Sequence, residues 1–167
     1  QANEVVTHVG RELIEALDRL FPKHLEQGKP QIPLAQPDAS FLDAFDQEAG
    51  LVVSSADGYL QYIDAEALMA LAVTEDIVIR LERRPGHYVV AGTPLVRVWP
   101  GNRITDSFTA HINSAVVLGR QRTANQDLEF AVDQLVEIAV RALSPGLTDP
   151  FTAITCVDRL GPALSRL

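Results

Sequence analysis

A single cysteine, Cys156, rules out an intrachain disulfide. Its place between Thr155 and Val157 in an apolar helical pattern marks it as a packed thiol rather than a nucleophile. Long apolar runs are missing too. The longest is Ala67–Val73, well short of the roughly 20 residues that a bilayer-spanning helix needs, so no stretch is expected to cross a membrane. Basic residues are few, 14 against 22 acids, for a formal charge of −8. They are dispersed, and the densest group, Arg80, Arg83 and Arg84, is interleaved with Leu81 and Glu82. Phosphate backbones demand clustered Lys and Arg, so no nucleic-acid partner is expected. The histidines, His8, His24, His87 and His111, stand far apart and match no metal-ligand spacing. There is no phosphate-binding glycine loop, and Ser144 lies in Leu-Ser-Pro-Gly, without the small-residue elbow of hydrolases. No catalytic residue, metal or cofactor is expected.

What is present is ordinary globular composition: 167 residues, 47% hydrophobic and 22% charged, enough for one domain or two small lobes. The chain opens on Gln1 rather than Met and reads as a fragment of something longer. Val6, Val9, Leu13, Leu17 and Leu20 recur at steps of three and four, predicting an amphipathic helix over 4–21 that Pro22 ends. Pro22, Gly28, Pro30, Pro33 and Pro37 then predict an extended linker. From Gly50 to Pro100 short strands alternate with turn sequences. Asp64 is placed to cap a short helix from Ala65 to about Val73.

Within this β-rich region, Arg84-Pro-Gly-His-Tyr-Val-Val-Ala-Gly-Thr-Pro-Leu-Val-Arg-Val98, with Ala56-Asp57-Gly58-Tyr59-Leu60 before it, resembles the strand-turn-strand of biotinyl/lipoyl-like barrel-sandwich hybrids. Carriers of that kind need an exposed lysine in a hairpin turn. The only lysines here, Lys23 and Lys29, lie in the Pro-rich stretch, so the resemblance implies a scaffold and not a carrier.

From Ile112 to Leu143 no proline occurs, and Val117, Gln121, Ala124, Leu128, Ala131, Leu135, Ile138 and Ala142 step by four and three. That predicts one long helix with an a/d-type seam, roughly 48 Å if unbroken. Either it kinks near Gly119 or it projects onto a partner, which makes it the candidate oligomer interface. Val132, Val136, Ala139 and Leu143 widen the seam and predict a more buried C-terminal half. Arg120, Asp127, Gln134 and Arg141, seven apart, would form one polar row. Such a row serves either as an ion-pair network or as a site for a small anionic ligand, with Arg120, Gln121, Arg122, Gln126, Asp127 and Asp149 as candidate ligand-binding residues. Asp149 followed by Pro150 predicts an N-cap with proline at N1. The expected class is α+β, a small barrel-sandwich-like β lobe with an inserted helix beside a helical lobe. Its expected boundaries are 1–21 (a membrane-proximal helix), 22–49 (linker), 50–100 (β lobe) and 101–167 (helical lobe).

Three stretches together are similar to a bacterial family of predicted integral-membrane proteins of unknown function. They are Gly58-Tyr-Leu-Gln-Tyr-Ile-Asp-Ala-Glu-Ala-Leu68, Arg84-Pro-Gly through Pro94-Leu95, and Leu118-Gly-Arg-Gln-Arg-Thr through Asp149-Pro-Phe-Thr-Ala153. The resemblance implies transmembrane helices upstream, with this chain as the C-terminal soluble domain on the cytoplasmic side of the bacterial inner membrane. Its expected partners are its own transmembrane region and further copies of itself. The family pattern carries Asn where this chain has Thr148, so no chemistry is transferred to an Asn-Asp-Pro pair.

Overall fold

The computed structural model describes residues 2–21 and 37–166; Lys23, Lys29 and the prolines at 22, 30 and 33 lie outside them. The class is α+β, with six α-helices and two three-stranded antiparallel sheets among the described residues. The chain divides into two compact units, Gln1–Lys29 with Arg122–Leu167, and Pro30–Gln121.

The first unit is helical. Helix α1 (Ala2–Leu20) follows the expected pattern, burying Val6, Val9, Leu13 and Leu17, with Glu4 in its first turn and Arg19 in its last, each complementing the helix dipole. It packs with α5 (Leu128–Ala142) and α6 (Pro150–Leu164). Their core joins those α1 residues to Ala131, Leu135, Cys156 and Ala163. Gly10 is buried because the aliphatic stem of Arg159 lies across it; an added Cβ would stand 3.0 Å from that stem.

The second unit begins with α2 (Ala39–Glu48), at the end of the stretch expected to be linker. Asp38 caps it, accepting from the Phe41 amide at 2.7 Å. Phe45 is buried, and Phe41 meets Trp99 edge to face at 5.3 Å. The proline-rich composition concealed this short amphipathic helix, whose aromatic partner is remote in sequence. Strand β1 (Gly50–Val53) pairs with β5 (Pro94–Trp99), and β5 with β3 (Val78–Leu81). Strand β2 (Gly58–Ile63) pairs with β4 (Tyr88–Val89) and with β6 (Val116–Gly119). The sheets do not close into a barrel; both contribute to one core of Val52, Leu60, Val89, Val96 and Val98, with Phe108 and Ile112 from α4 (Asp106–Ser114). A register shift between Leu60 and Tyr62 explains why Leu60 and Ile63, of opposite parity, are both buried. Helix α3 (Ala65–Glu75) is capped by Asp64 as expected. Gly86 and Gly92 take φ of 94° and 85° in the turns flanking β4.

The long helix over 112–143 is not formed. Instead, α4 ends at Ser114, β6 pairs with β2, and α5 starts only at Leu128. Val116 and Val117 are β-branched and favour a strand, and Gly119 has no side chain to clash with Gln61, which packs over it. Gln61 Nε2 donates to the Gln121 carbonyl at 2.7 Å, fixing the exit from the strand. Residues 101–121, assigned by sequence to the helical lobe, therefore belong with the strands. The seam survives from Leu128 on, where Ala131, Leu135 and Ala142 are buried. The widening residues behave otherwise: Val132 and Ala139 are half-buried, and Val136 and Leu143 are exposed.

Cys156 sits wholly within the helical core, and burial pushes its thiol pKa up. It should react with a thiol reagent only when the helical unit opens. Leu135→Ala, which leaves a cavity costing about 2–5 kcal/mol, should raise the labelling rate of Cys156 strongly, and Val140→Ala on the exposed face should not. Equal rates in both variants would contradict this core.

Candidate functional site

The expected ligand-binding residues fall in both units, and those of the helical unit lie at the two ends of α5. Arg120 and Gln121 are exposed and belong to the strand-bearing unit; Arg122, Gln126, Asp127 and Asp149 belong to the helical one. The row through Arg120, Asp127, Gln134 and Arg141 is also lost, since the first two precede α5.

Asp127 caps α5, its Oδ1 accepting from the Phe130 amide at 3.1 Å. The same carboxylate receives the Arg122 fork, Nε to Oδ2 at 2.8 Å and Nη2 to Oδ1 at 3.1 Å. Nη1 of Arg122 reaches Asp133 at 3.4 Å, and the guanidinium lies 5.1 Å over the Phe130 ring. Asp127 is only 5% exposed. Its hydrogen bonds, opposed by partial burial and helped by the nearby charges, hold Arg122 all the more firmly in its charged form. This is a paired network, with the guanidinium already engaged by carboxylates.

Asp149 holds a second cap. It accepts from the Thr152 hydroxyl at 2.6 Å and from the Thr152 amide at 3.1 Å, which keep its carboxyl below the usual carboxylate value. Its own amide donates to the Ala142 carbonyl at 2.7 Å. Asp149 therefore stands at the C-terminal end of α5 and Asp127 at the other, about 20 Å away at 1.5 Å per residue, so the two do not form an acid pair. The residue before it, Thr148, adopts φ 42°, a left-handed conformation that a β-branched residue reaches at a cost and Asn readily.

A cavity of about 220 Å³ in the helical unit is lined by Glu12, Glu15, Arg19, Thr123, Ala124 and Asn125. Its one guanidinium is held by Asn125, Nη1 of Arg19 donating to the backbone carbonyl at 2.7 Å and also to the side-chain oxygen. Gln134 buries an amide oxygen with no hydrogen-bond partner among the described residues; an acceptor is the wrong group for an anion. No group of three or more His, Cys, Asp or Glu among the described residues could hold a metal ion.

The feature that the sequence reading missed is apolar. Val136, Val140 and Leu143 on α5 and Ile154, Val157 and Leu164 on α6 are all exposed. In the other unit, Met69 and Val73 project from α3, 65% and 75% exposed, beside a cavity of about 340 Å³ lined by Ile63, Leu68, Ala72, Val78 and Leu81 among others. The signal was available in α3, whose residues 67–73 are apolar on every side and cannot all be covered by one short sheet.

The model of a family described as predicted membrane proteins, DUF2254, matches residues 1–167. Uncharacterized proteins of Mycobacterium bovis and Mycobacterium tuberculosis are each 30% identical over 175 residues, covering 100% of this chain and 31% of the relative. The chain thus spans about a third of the length of these relatives. No solved structure matches it. Among the described residues no helix is long and apolar enough to cross a membrane.

Two substitutions test the α5–α6 turn. Thr148→Asn should stabilise the helical unit by roughly 1 kcal/mol, read from the urea midpoint; a loss would contradict the left-handed geometry. A carboxylate held below its usual pKa contributes stability above its unfolded value, and that contribution is lost as pH falls through the folded one. Thr152→Val should return the Asp149 carboxyl toward its ordinary pKa in an NMR titration and move the onset of acid unfolding to higher pH. An unchanged Asp149 titration would contradict the assigned cause.

Proposed function

The chain belongs to the DUF2254 family of predicted membrane proteins, and from that premise we propose that it forms the part of such a protein that stands outside the bilayer and serves assembly or regulation rather than catalysis. The observation that carries this reading is the contrast between the two kinds of surface. Of the charged groups expected to meet a ligand, Arg122 is engaged by Asp127 and Asp133, and Asp149 by the Thr152 hydroxyl. Val136 and Val140 of α5, Ile154, Val157 and Leu164 of α6, and Met69 and Val73 of α3 are left open to solvent. Contiguous exposed apolar surface marks a place where protein meets protein or membrane.

In this reading the membrane-embedded partner is the protein's own transmembrane region. The bacterial inner membrane and its cytoplasmic side are the proposed location. A barrel-sandwich description of the β unit is supported by its two three-stranded sheets over one core, with the Gly86 turn as scaffold. The alternative, an enzyme or sensor for a small anionic ligand, would require Arg122 to exchange Asp127 for that ligand.

Val140→Glu with Val157→Glu, introduced into the full-length protein, should leave the helical content of the domain intact and shrink the complex extracted from membranes on a sizing column. Unchanged assembly would refute the reading. A rise in melting temperature with inorganic phosphate or nucleotides, abolished by Arg122→Ala, would favour the sensor. Asn102→Cys should be labelled by a membrane-impermeant maleimide only after the inner membrane is breached; labelling in intact spheroplasts would place the domain on the opposite side.

A further inference from the structure

Helices α5 and α6 are joined by residues 143–149 as an antiparallel hairpin, and α1 covers one side of it. Arg159 lies across Gly10 of α1, and Arg166 bonds Asp18 of α1 at 2.8 Å, so α1 runs along the Arg159 side of α6. At 3.6 residues per turn, Ile154, Val157, Gly161 and Leu164 fall on the side of α6 roughly opposite Arg159. Val136 and Val140 on α5 and Leu143 at its C-cap sit about 100°, 140° and 80° round from buried Leu135. Because the helices are antiparallel, both rotations turn these residues outward on the same face of the hairpin, away from α1. Val136 is 46%, Val140 64%, Leu143 60%, Ile154 56%, Val157 63% and Leu164 67% exposed.

We propose that this face is the interface between two copies of the chain, hairpin against hairpin about a two-fold axis, closing a four-helix layer with α1 of each copy on the outside. The inference rests on the assembly reading above and names its partner. Three observations select a second copy. The steps along each stripe, four and three on α5 and three, four and three on α6, are those of a seam made to receive another helix. Gly161 lies inside α6 with nothing within 4 Å of the position of a Cβ. In an isolated bundle that glycine only weakens the helix, whereas against a facing helix it lets the backbones approach. The charge pattern disfavours an anionic lipid surface, which calls for a basic rim. Here Arg141 and Arg166 are paired with Glu137 and Asp18, and the chain carries a net −8. The six side chains expose roughly 600 Å² per copy, so symmetric pairing buries on the order of 1,200 Å², the lower end of specific interfaces. An isologous interface also needs no second surface on the molecule.

The test uses the 167-residue chain with Cys156→Ala, so that one introduced cysteine is the only thiol. Sedimentation should show a concentration-dependent dimer. Val157→Cys should form a disulfide dimer under mild oxidation and Glu15→Cys on α1 should not. Val140→Glu with Val157→Glu should sediment as a monomer with an unchanged circular dichroism spectrum. A monomer at every concentration, equal crosslinking at Glu15 and Val157, or a dimer that survives the double substitution would overturn the proposal. The full-length variants separate this from the broader reading. If the double substitution still shrinks the membrane complex while Val157→Cys never crosslinks, the second copy falls and assembly stands; if it changes neither, both fall.

Discussion

The buried Asp127 carboxylate sets the helical unit. One side chain accepts both arms of the Arg122 fork and the Phe130 amide in the first turn of α5, and so helps to fix where that helix begins. Once Leu128 is the first helical residue, Ala131, Leu135 and Ala142 point to α1 and α6, and Val136, Val140 and Leu143 point away. A buried pair broken on one side leaves a charge without its partner, which costs far more than the pair itself contributes. Arg122 and Asp127 therefore act as a fixed register point.

How much of this was legible in the sequence depended on whether the deciding interaction was local. Helix α1 and the caps at Asp64 and Asp149 were legible because a repeat, a carboxylate and a proline lie within a few residues of the structure they specify. The long helix was misread because its steps of four and three run through Val116–Gly119, and nothing nearby shows that β2, more than fifty residues earlier, claims that stretch as a strand. Helix α2 was hidden in the same way, since Phe41 finds Trp99 only in the folded chain. The polar residues of the candidate site were correctly singled out as chemically rich. The row was misplaced, because sequence spacing on an assumed helix put Arg120 and Asp127 on one line when neither is in a helix; the ion-pair alternative is the one that Arg122 and Asp127 realise.

The apolar residues carry the opposite lesson. Val136 and Leu143 were read as evidence of deeper burial, on the rule that aliphatic side chains face inward. They form instead a second stripe on a helix whose first stripe already satisfies the bundle. Second stripes on both members of a hairpin, and the apolar run 67–73 of α3 in the other unit, leave aliphatic surface exposed on this chain. In a family of predicted membrane proteins, with relatives about three times as long, such surface is what the proposed assembly would cover.

The central claim is that α5 is phased to bury one stripe and present the other to a partner. Methyl NMR with a soluble paramagnetic probe tests it directly, by following Val136, Val140 and Val157 in the dilute chain and in the assembled protein. The account predicts strong broadening of these methyls when dilute, protection on assembly, and no broadening of Leu135 in either state. Methyls of Val140 and Val157 that stay fully accessible in the assembled protein, or a Leu135 methyl open to the probe, would contradict it.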